Sequence, residues 1–440
     1  MKSPFQMILI TVFGLIAFVA VLMFSDILPG GISPLGSKAV EEVVMWGPYS
    51  GIEIENYFGA ISDVNKDIVK IKYIPQIPET YLNNLVESFA QGKGPDLFFA
   101  DQKMLNRLVG KTTDIPYSIY PQRDILNNFA DGVSVFMNSK GLRAIPLMID
   151  PLVMFYNRTM YTSANIIIPP KDWTEFLATI KPLTEIDTRN NITRTAAALG
   201  EFNNITNAKD IFSALLFQAG NPIVTTDIND NYNSVLANAF GFSPIPAEAV
   251  TSFYHQFSNP TQVSYSWNRS VSNDKDMFVA EKLATYFGLS SEIADLRAKN
   301  PHLNLDAVII PQKDPQKRVT YADFYGMVIS KSSTKQNSAM TAALLLAQSQ
   351  NQADLAKILK YMPARRDQLA VKDSDPLVQV FKDSSVISRS WVDPDNNNTK
   401  QVLQQMSENI QTGQVGVSSA ISSASDQINR LFSKINQVTQ

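Results

Sequence analysis

The reading turns on Ala144–Glu175, which runs AIPLMIDPLVMFYNR over 144–158 and IIIPPKDWTE over 166–175. Two short apolar runs, Ala144–Met148 and Leu152–Tyr156, have strand length and carry β-branched or large side chains, with Asp150-Pro151 between them. Pro151 fixes its own φ and pushes Asp150 toward extended geometry. A buried strand is therefore expected to break there, with the chain stepping from one sheet into another without an intervening helix. Such a step is what a hinge crossing between two lobes needs. Taken alone, the stretch also fits one strand–turn–strand–helix unit within a single α/β domain. Beyond it, Pro169-Pro170 stops the extended run, and Asp172 is placed to cap a helix beginning at Trp173, with Glu175 closing a capping box.

Upstream, Phe5–Phe24 is an uncharged apolar segment long enough, at ~1.5 Å per residue, to cross a ~30 Å hydrocarbon core. Large residues follow it instead of a small-x-small cleavage site, and the chain has no cysteine for lipid attachment. These features predict a single-pass anchor. Lys2 before it and Asp26 after it place residues 1–4 inside the cell and the bulk outside. Residues 25–39 have linker composition.

The remaining ~400 residues exceed what one core serves, so two lobes are expected. A hydrophobic content of 45% excludes a mainly disordered chain, and a net charge of −3 gives no basic surface for nucleic acid. With no Cys, thiolate chemistry and disulfides are excluded, and with only His255 and His302, far apart in sequence, no histidine metal site is expected.

From Val40 the chain reads strand (Val40–Trp46), loop (Gly47–Gly51), helix, strand (Ile68–Ile74), helix (Tyr81–Gln91) and strand (Gly94–Asp101). This is a parallel α/β unit, whose ligands bind outside the strands' carboxyl ends. Ala196–Gly200 predicts a strand, and Ala208–Gln218 a helix closed by Gly220. Met277–Leu289 reads as a short helix, a strand and a glycine turn. Tyr321–Ser330 reads as a return crossing. Lys335–Ser349 and Gln352–Tyr361 read as helices, broken by Pro363-Ala-Arg-Arg366.

These pieces resemble the extracellular solute-binding proteins of ABC importers, the group that includes the maltose-binding proteins. The resemblance is carried by Gly94-Pro95-Asp96, Ile145-Pro146 with Phe155-Tyr156-Asn157, Pro169-Pro170 with Asp172–Glu175, Ala198-Leu199-Gly200, Phe278 with Glu281–Ala284, and Met362–Arg365. It covers about Val40–Lys434. It implies a two-lobe periplasmic-binding-protein-like α/β fold with a hinge and an interlobe cleft, here preceded by the N-terminal transmembrane helix. Lobe 1 is expected from 40–148 and 330–360, and lobe 2 from 149–329 and 361–440. Crossings are expected at Met148–Leu152, Met327–Ile329 and Tyr361–Arg365. The implied function is capture of a small polar ligand, a sugar or oligosaccharide, for an ABC transporter permease. The expected protein is a non-enzymatic monomer without cofactor or metal, at the cell membrane with its lobes extracellular or periplasmic. A glycan receptor or sensor without transport is the alternative.

In a sugar site aromatic faces pack on C–H faces while polar side chains pair with hydroxyls. By position at strand exits, the polar candidates are Asp101, Asp150, Glu201 and Arg365. The aromatic candidates are Trp46, Tyr49, Phe202, Tyr286, Tyr325 and Trp391. Asp150 and Glu201 would also be the pair to suspect in a glycosidase.

Overall fold

The computed structural model describes residues 40–189 and 191–439. The expected anchor Phe5–Phe24, with residues 1–4 and the linker 25–39, lies outside them. Among the described residues no helix is long and apolar enough to cross a membrane.

The principal elements, in chain order, are β1 (Glu42–Gly47), α1 (Ile52–Val64), β2 (Lys70–Pro75), α2 (Tyr81–Ala90), β3 (Leu97–Asp101), β4 (Ile145–Asn157), α3 (Trp173–Leu183), β5 (Ile192–Ala197), α4 (Ala208–Ala219), α5 (Pro246–His255), β6 (Leu283–Leu289), β7 (Leu305–Val308), β8 (Thr320–Ser330), α6 (Gln336–Leu346), α7 (Ser349–Leu359), α8 (Pro376–Val386), α9 (Asn396–Gln411) and α10 (Val417–Thr439). The alternating pattern settles into two lobes on one long sheet path, β2-β1-β3-β8-β4-β6-β5, with Glu185–Ile186 at the far edge. β1 pairs in parallel with β2 and β3. The mixed remainder is assembled by the long strands β4 and β8.

The break expected at Asp150-Pro151 is absent. β4 runs unbroken for thirteen residues and is buried at every position but Tyr156. What changes at Pro151 is the partner: β8 pairs with Ile145–Pro151, and β6 takes over from Leu152 to Tyr156. Pro151 has no N–H to donate, and it falls at the handover between the two ladders, where the Thr320 hydroxyl donates to the carbonyl of Leu152 at 2.8 Å. Burial on both faces explains the apolar runs, which lack the alternation of a half-exposed strand. The return strand β8 carries Tyr325–Ile329 against Leu97–Asp101 of β3. Thus Met327–Ile329, expected at a crossing, are paired within the first lobe's sheet.

Local chemistry accounts for the helices. α2 buries Tyr81, Leu85, Ser88 and Phe89, an i, i+4, i+7, i+8 stripe. Asp172 caps α3 by accepting from the Glu175 N–H at 2.8 Å. Glu175 reaches back one residue further than a capping box requires, to the Lys171 N–H at 2.8 Å. Losing such a cap costs ~1 kcal/mol. Gly220 ends α4 in the left-handed region, at φ 89°. Gly288, expected in a turn, lies inside β6, where a Cβ would stand 2.5 Å from the Tyr286 ring.

Candidate functional site

Three strand ends converge where the lobes meet. At the exit of β1, the Tyr49 N–H donates to Tyr73 Oη at 3.3 Å, and Tyr73 Oη donates to the Tyr49 carbonyl at 2.6 Å. The loop can lie this close only because residue 47 is glycine, since a Cβ would meet Phe99 at 2.5 Å. Tyr49 stands edge-on to Phe99 at 5.2 Å and to Tyr361 at 6.0 Å, and Tyr361 lies 4.9 Å from Tyr325 of β8. The three tyrosines are half-buried. Burial raises all three phenol pKa values, so they remain neutral hydroxyl donors at physiological pH. Tyr361 also lines an open pocket of about 510 Å³ with Ile293 and Arg297 on one side and Lys357 and Lys360 of α7's C-terminal end on the other.

Beside the tyrosines lie three carboxylates. Asp101, ending β3, accepts from the Met104 N–H at 2.8 Å. Burial, with Asp323 nearby, pushes its pKa up to about 6, while Lys103 opposes. Asp323 of β8 accepts from Gln102 Nε2, Lys103 Nζ and Tyr321 Oη, each at 2.8 Å. Burial works against its ionised form, but Lys103 and these donors hold it below the usual carboxylate range. Asp150 of β4 accepts from the Ser290 hydroxyl at 2.7 Å, and from the Ser291 N–H and hydroxyl at 2.9 and 2.6 Å. Burial pushes its pKa up to about 7 against those bonds.

The opposite flank is built from charge. Lys103 also approaches Asp210, at the start of α4, to 3.8 Å, joining the first lobe to the second. Burial disfavours the Lys103 cation, yet Asp210 and Asp323 hold its pKa well above the usual range. Next to it, Lys209 pairs with Asp393 at 2.5 Å and donates to Asn396. The Asp393 carbonyl accepts from Asn106 Nδ2 of the first lobe at 2.7 Å. Aromatic faces, neutral hydroxyls and carboxylates between two lobes make a surface for a polyhydroxylated ligand.

Residues 60–380 match the family described as bacterial extracellular solute-binding protein. The chain belongs to that family. No curated protein matches its sequence. Among solved structures, a solute-binding protein of an ABC transporter from Thermotoga lettingae, bound with α-D-tagatose, aligns with TM-score 0.65 at 19% identity, over 89% of this chain and 100% of that one. A cyclo/maltodextrin-binding protein complexed with maltotetraose aligns at 0.71 and 15% identity, over 90% and 98%. The sugar-binding protein MalE of Xanthomonas citri aligns at 0.68 and 18%, over 90% and 98%. At these identities the likeness is one of fold.

Of the residues picked from sequence, this solute-binding protein brings Tyr49, Asp101, Asp150 and Tyr325 together. Trp46 adjoins them, its carbonyl accepting from Tyr81 Oη at 3.2 Å. Its indole Nε1 is buried without a hydrogen-bond partner among the described residues. Asp150 is 1% exposed and clamped by two serines, so it is not an open acceptor. Phe202 is packed edge-on to Phe212 and Tyr254. Tyr286 is stacked between Phe155 and Phe278 with its hydroxyl on Glu292 at 2.6 Å. Trp391 is 4% exposed, its Nε1 donating to Ser213 Oγ at 3.2 Å and Lys209 lying 5.7 Å from its ring. None of these three rings offers a free face. Arg365 pairs with Asp367 at 3.0 Å and lies 5.8 Å from the Phe129 ring. Glu201 pairs with Arg269 at 3.3 Å, away from Asp150, so the two carboxylates suspected as a glycosidase pair are held by separate partners. Sequence reasoning missed Lys103, Lys209, Asp210, Asp323, Tyr361 and Asp393. Lys103, two residues past the strand read to Asp101, and Tyr361, at the start of the expected crossing Tyr361–Arg365, carried a signal.

Proposed function

We propose that this chain captures a sugar or oligosaccharide between its two lobes and hands it to the permease of an ABC transporter, with Phe5–Phe24 holding it at the membrane and the lobes outside. The observation carrying this reading is the cluster Tyr49, Tyr325 and Tyr361 beside Asp101 at the end of the hinge strands, where each lobe can reach one bound molecule. A ligand drives closure only by binding the closed state more tightly than the open one, so groups from both lobes must touch it. We assign that role to the tyrosines and Asp101 on one side and to Asp210 on the other. We place the hinge at Met148–Leu152, at β8 and at Tyr361–Arg365. Family membership and the sugars named for the structural neighbours support the ligand class.

The test is a thermal-shift panel of mono- and oligosaccharides, polyamines and short peptides, followed by calorimetry on any compound that raises the melting temperature. A saccharide binding with micromolar affinity, about −8 kcal/mol, is expected. A panel in which polyamines alone stabilise the protein would overturn the assignment.

A further inference from the structure

The second lobe carries another polar pocket, of about 580 Å³, whose lining includes Glu201, Thr251, His255, Arg269, Ile410 and Gln411. It is remote from the cleft. α9 begins beside Lys209, and its sixteen residues carry the chain ~24 Å to Gln411 at the pocket, at ~1.5 Å per residue. There Gln411 Nε2 donates to the Gly200 carbonyl at 2.5 Å and to Ser258 Oγ at 3.0 Å, and Gln411 Oε1 accepts from Arg269 at 3.1 Å.

Two side chains in this wall are buried beyond what their partners justify. Thr251 is 1% exposed, and its hydroxyl has no hydrogen-bond partner among the described residues. Buried hydroxyls are almost always paired, and an orphan is costly. Glu201 is 6% exposed, and its carboxylate, with about four acceptor sites, has Arg269 as its one side-chain partner among the described residues. His255 donates to or accepts from Ser407 Oγ at 2.8 Å, and burial pushes its pKa down to about 4, so the imidazole is neutral. Charge in the pocket is thus cancelled within the Glu201–Arg269 pair, while neutral donors and acceptors dominate the rest. Pro260, Ile410 and Val417 supply apolar wall.

We infer that this pocket is a second binding site, for a neutral polyhydroxylated molecule of monosaccharide size: its hydroxyls would pair with Thr251 and Glu201, and its C–H face would lie on Ile410 and Val417. The volume falls within the ~300–1,000 Å³ of small-molecule sites. Nothing in this second site depends on what the cleft binds.

The experiment titrates the full chain with D-glucose, D-galactose, myo-inositol and glycerol, each to about 20 mM, by saturation-transfer NMR and calorimetry, a range suited to millimolar constants. At least one should bind. Thr251→Val keeps the shape and removes the orphan hydroxyl, so its melting temperature should hold or rise while affinity falls about tenfold. Glu201→Gln should weaken binding too, and Tyr361→Ala, in the cleft, should leave it unchanged. Failure of all four compounds to bind would overturn the inference. So would binding that survives Thr251→Val and Glu201→Gln but disappears with Tyr361→Ala, since it would then belong to the cleft.

Discussion

The two flanks of the interlobe junction lie at the same end of the same strands and solve the problem of burial in opposite ways. On one, Lys103 with Asp323 and Lys209 with Asp393 take each other's charges, while Asp210 reaches Lys103 across the lobes at 3.8 Å with its Oδ1 left without a hydrogen bond among the described residues. On the other, Tyr49, Tyr325 and Tyr361 meet ring to ring, with neutral hydroxyls and part of each face uncovered. Buried charges with matched partners leave little for a guest to gain, because displacing one partner strands the other. Neutral rings can exchange one neighbour for another at small cost. In the proposed function the charged flank is therefore the fastening and the tyrosine flank the receiving surface.

Lys209→Ala would be the harshest challenge to that division. The lysine and Asp393 are 6% and 2% exposed, so the substitution strands a buried carboxylate and should destabilise the fold by ~3–5 kcal/mol in urea unfolding. A loss below ~1 kcal/mol would mean that the pair behaves as a solvated surface bridge. Trp391→Ala, beside it, should cost ~3–5 kcal/mol of stability by leaving a cavity, with ligand affinity of the folded protein little changed. If affinity collapses while the melting temperature holds, Trp391 belongs to the receiving surface after all.

Tyr361→Ala should do the reverse. Loss of a stacking face worth ~0.5–1.5 kcal/mol beyond its area should weaken saccharide binding tenfold or more, with a smaller shift in melting temperature. The finest test is pH. The pKa values of Asp150 and Asp101, at about 7 and about 6, are raised above the ~3.9 of an unfolded chain, so the native state keeps protons that the unfolded state releases. Their contribution is full below pH ~4 and fades as pH rises through about 7. Asp150→Asn should therefore flatten the decline in melting temperature between about pH 5 and 7 relative to wild type. An unchanged slope would show that Asp150 is ionised throughout.

Much of the architecture was legible. The β1–β3 unit, the Asp172 cap and the Gly220 stop each follow from local patterns, and local patterns suffice for local elements. The hinge strand was found but misread at Pro151, because a proline that breaks an ordinary ladder is harmless where one partner strand hands over to the next. The site was less legible for a different reason. Lys103 meets Asp323 and Asp210 across 220 and 107 residues of chain, and no short-range pattern encodes such meetings. Tyr286 and Tyr325 both sit on strands and look alike in sequence. Only sheet assembly puts the first between Phe155 and Phe278 and the second against Tyr361.

One strand paired in turn with strands of both lobes limits how the molecule can move. Ile145–Pro151 is laced to β8 and Leu152–Tyr156 to β6, so the lobes cannot slide past each other without tearing a ladder. What remains is torsion about the peptide units next to Pro151, a swing that keeps every sheet hydrogen bond on either side. In the proposed closure, open and closed forms would carry the same backbone inventory. Their balance rests on a few side-chain contacts at the rim, few enough for one small guest to tip it.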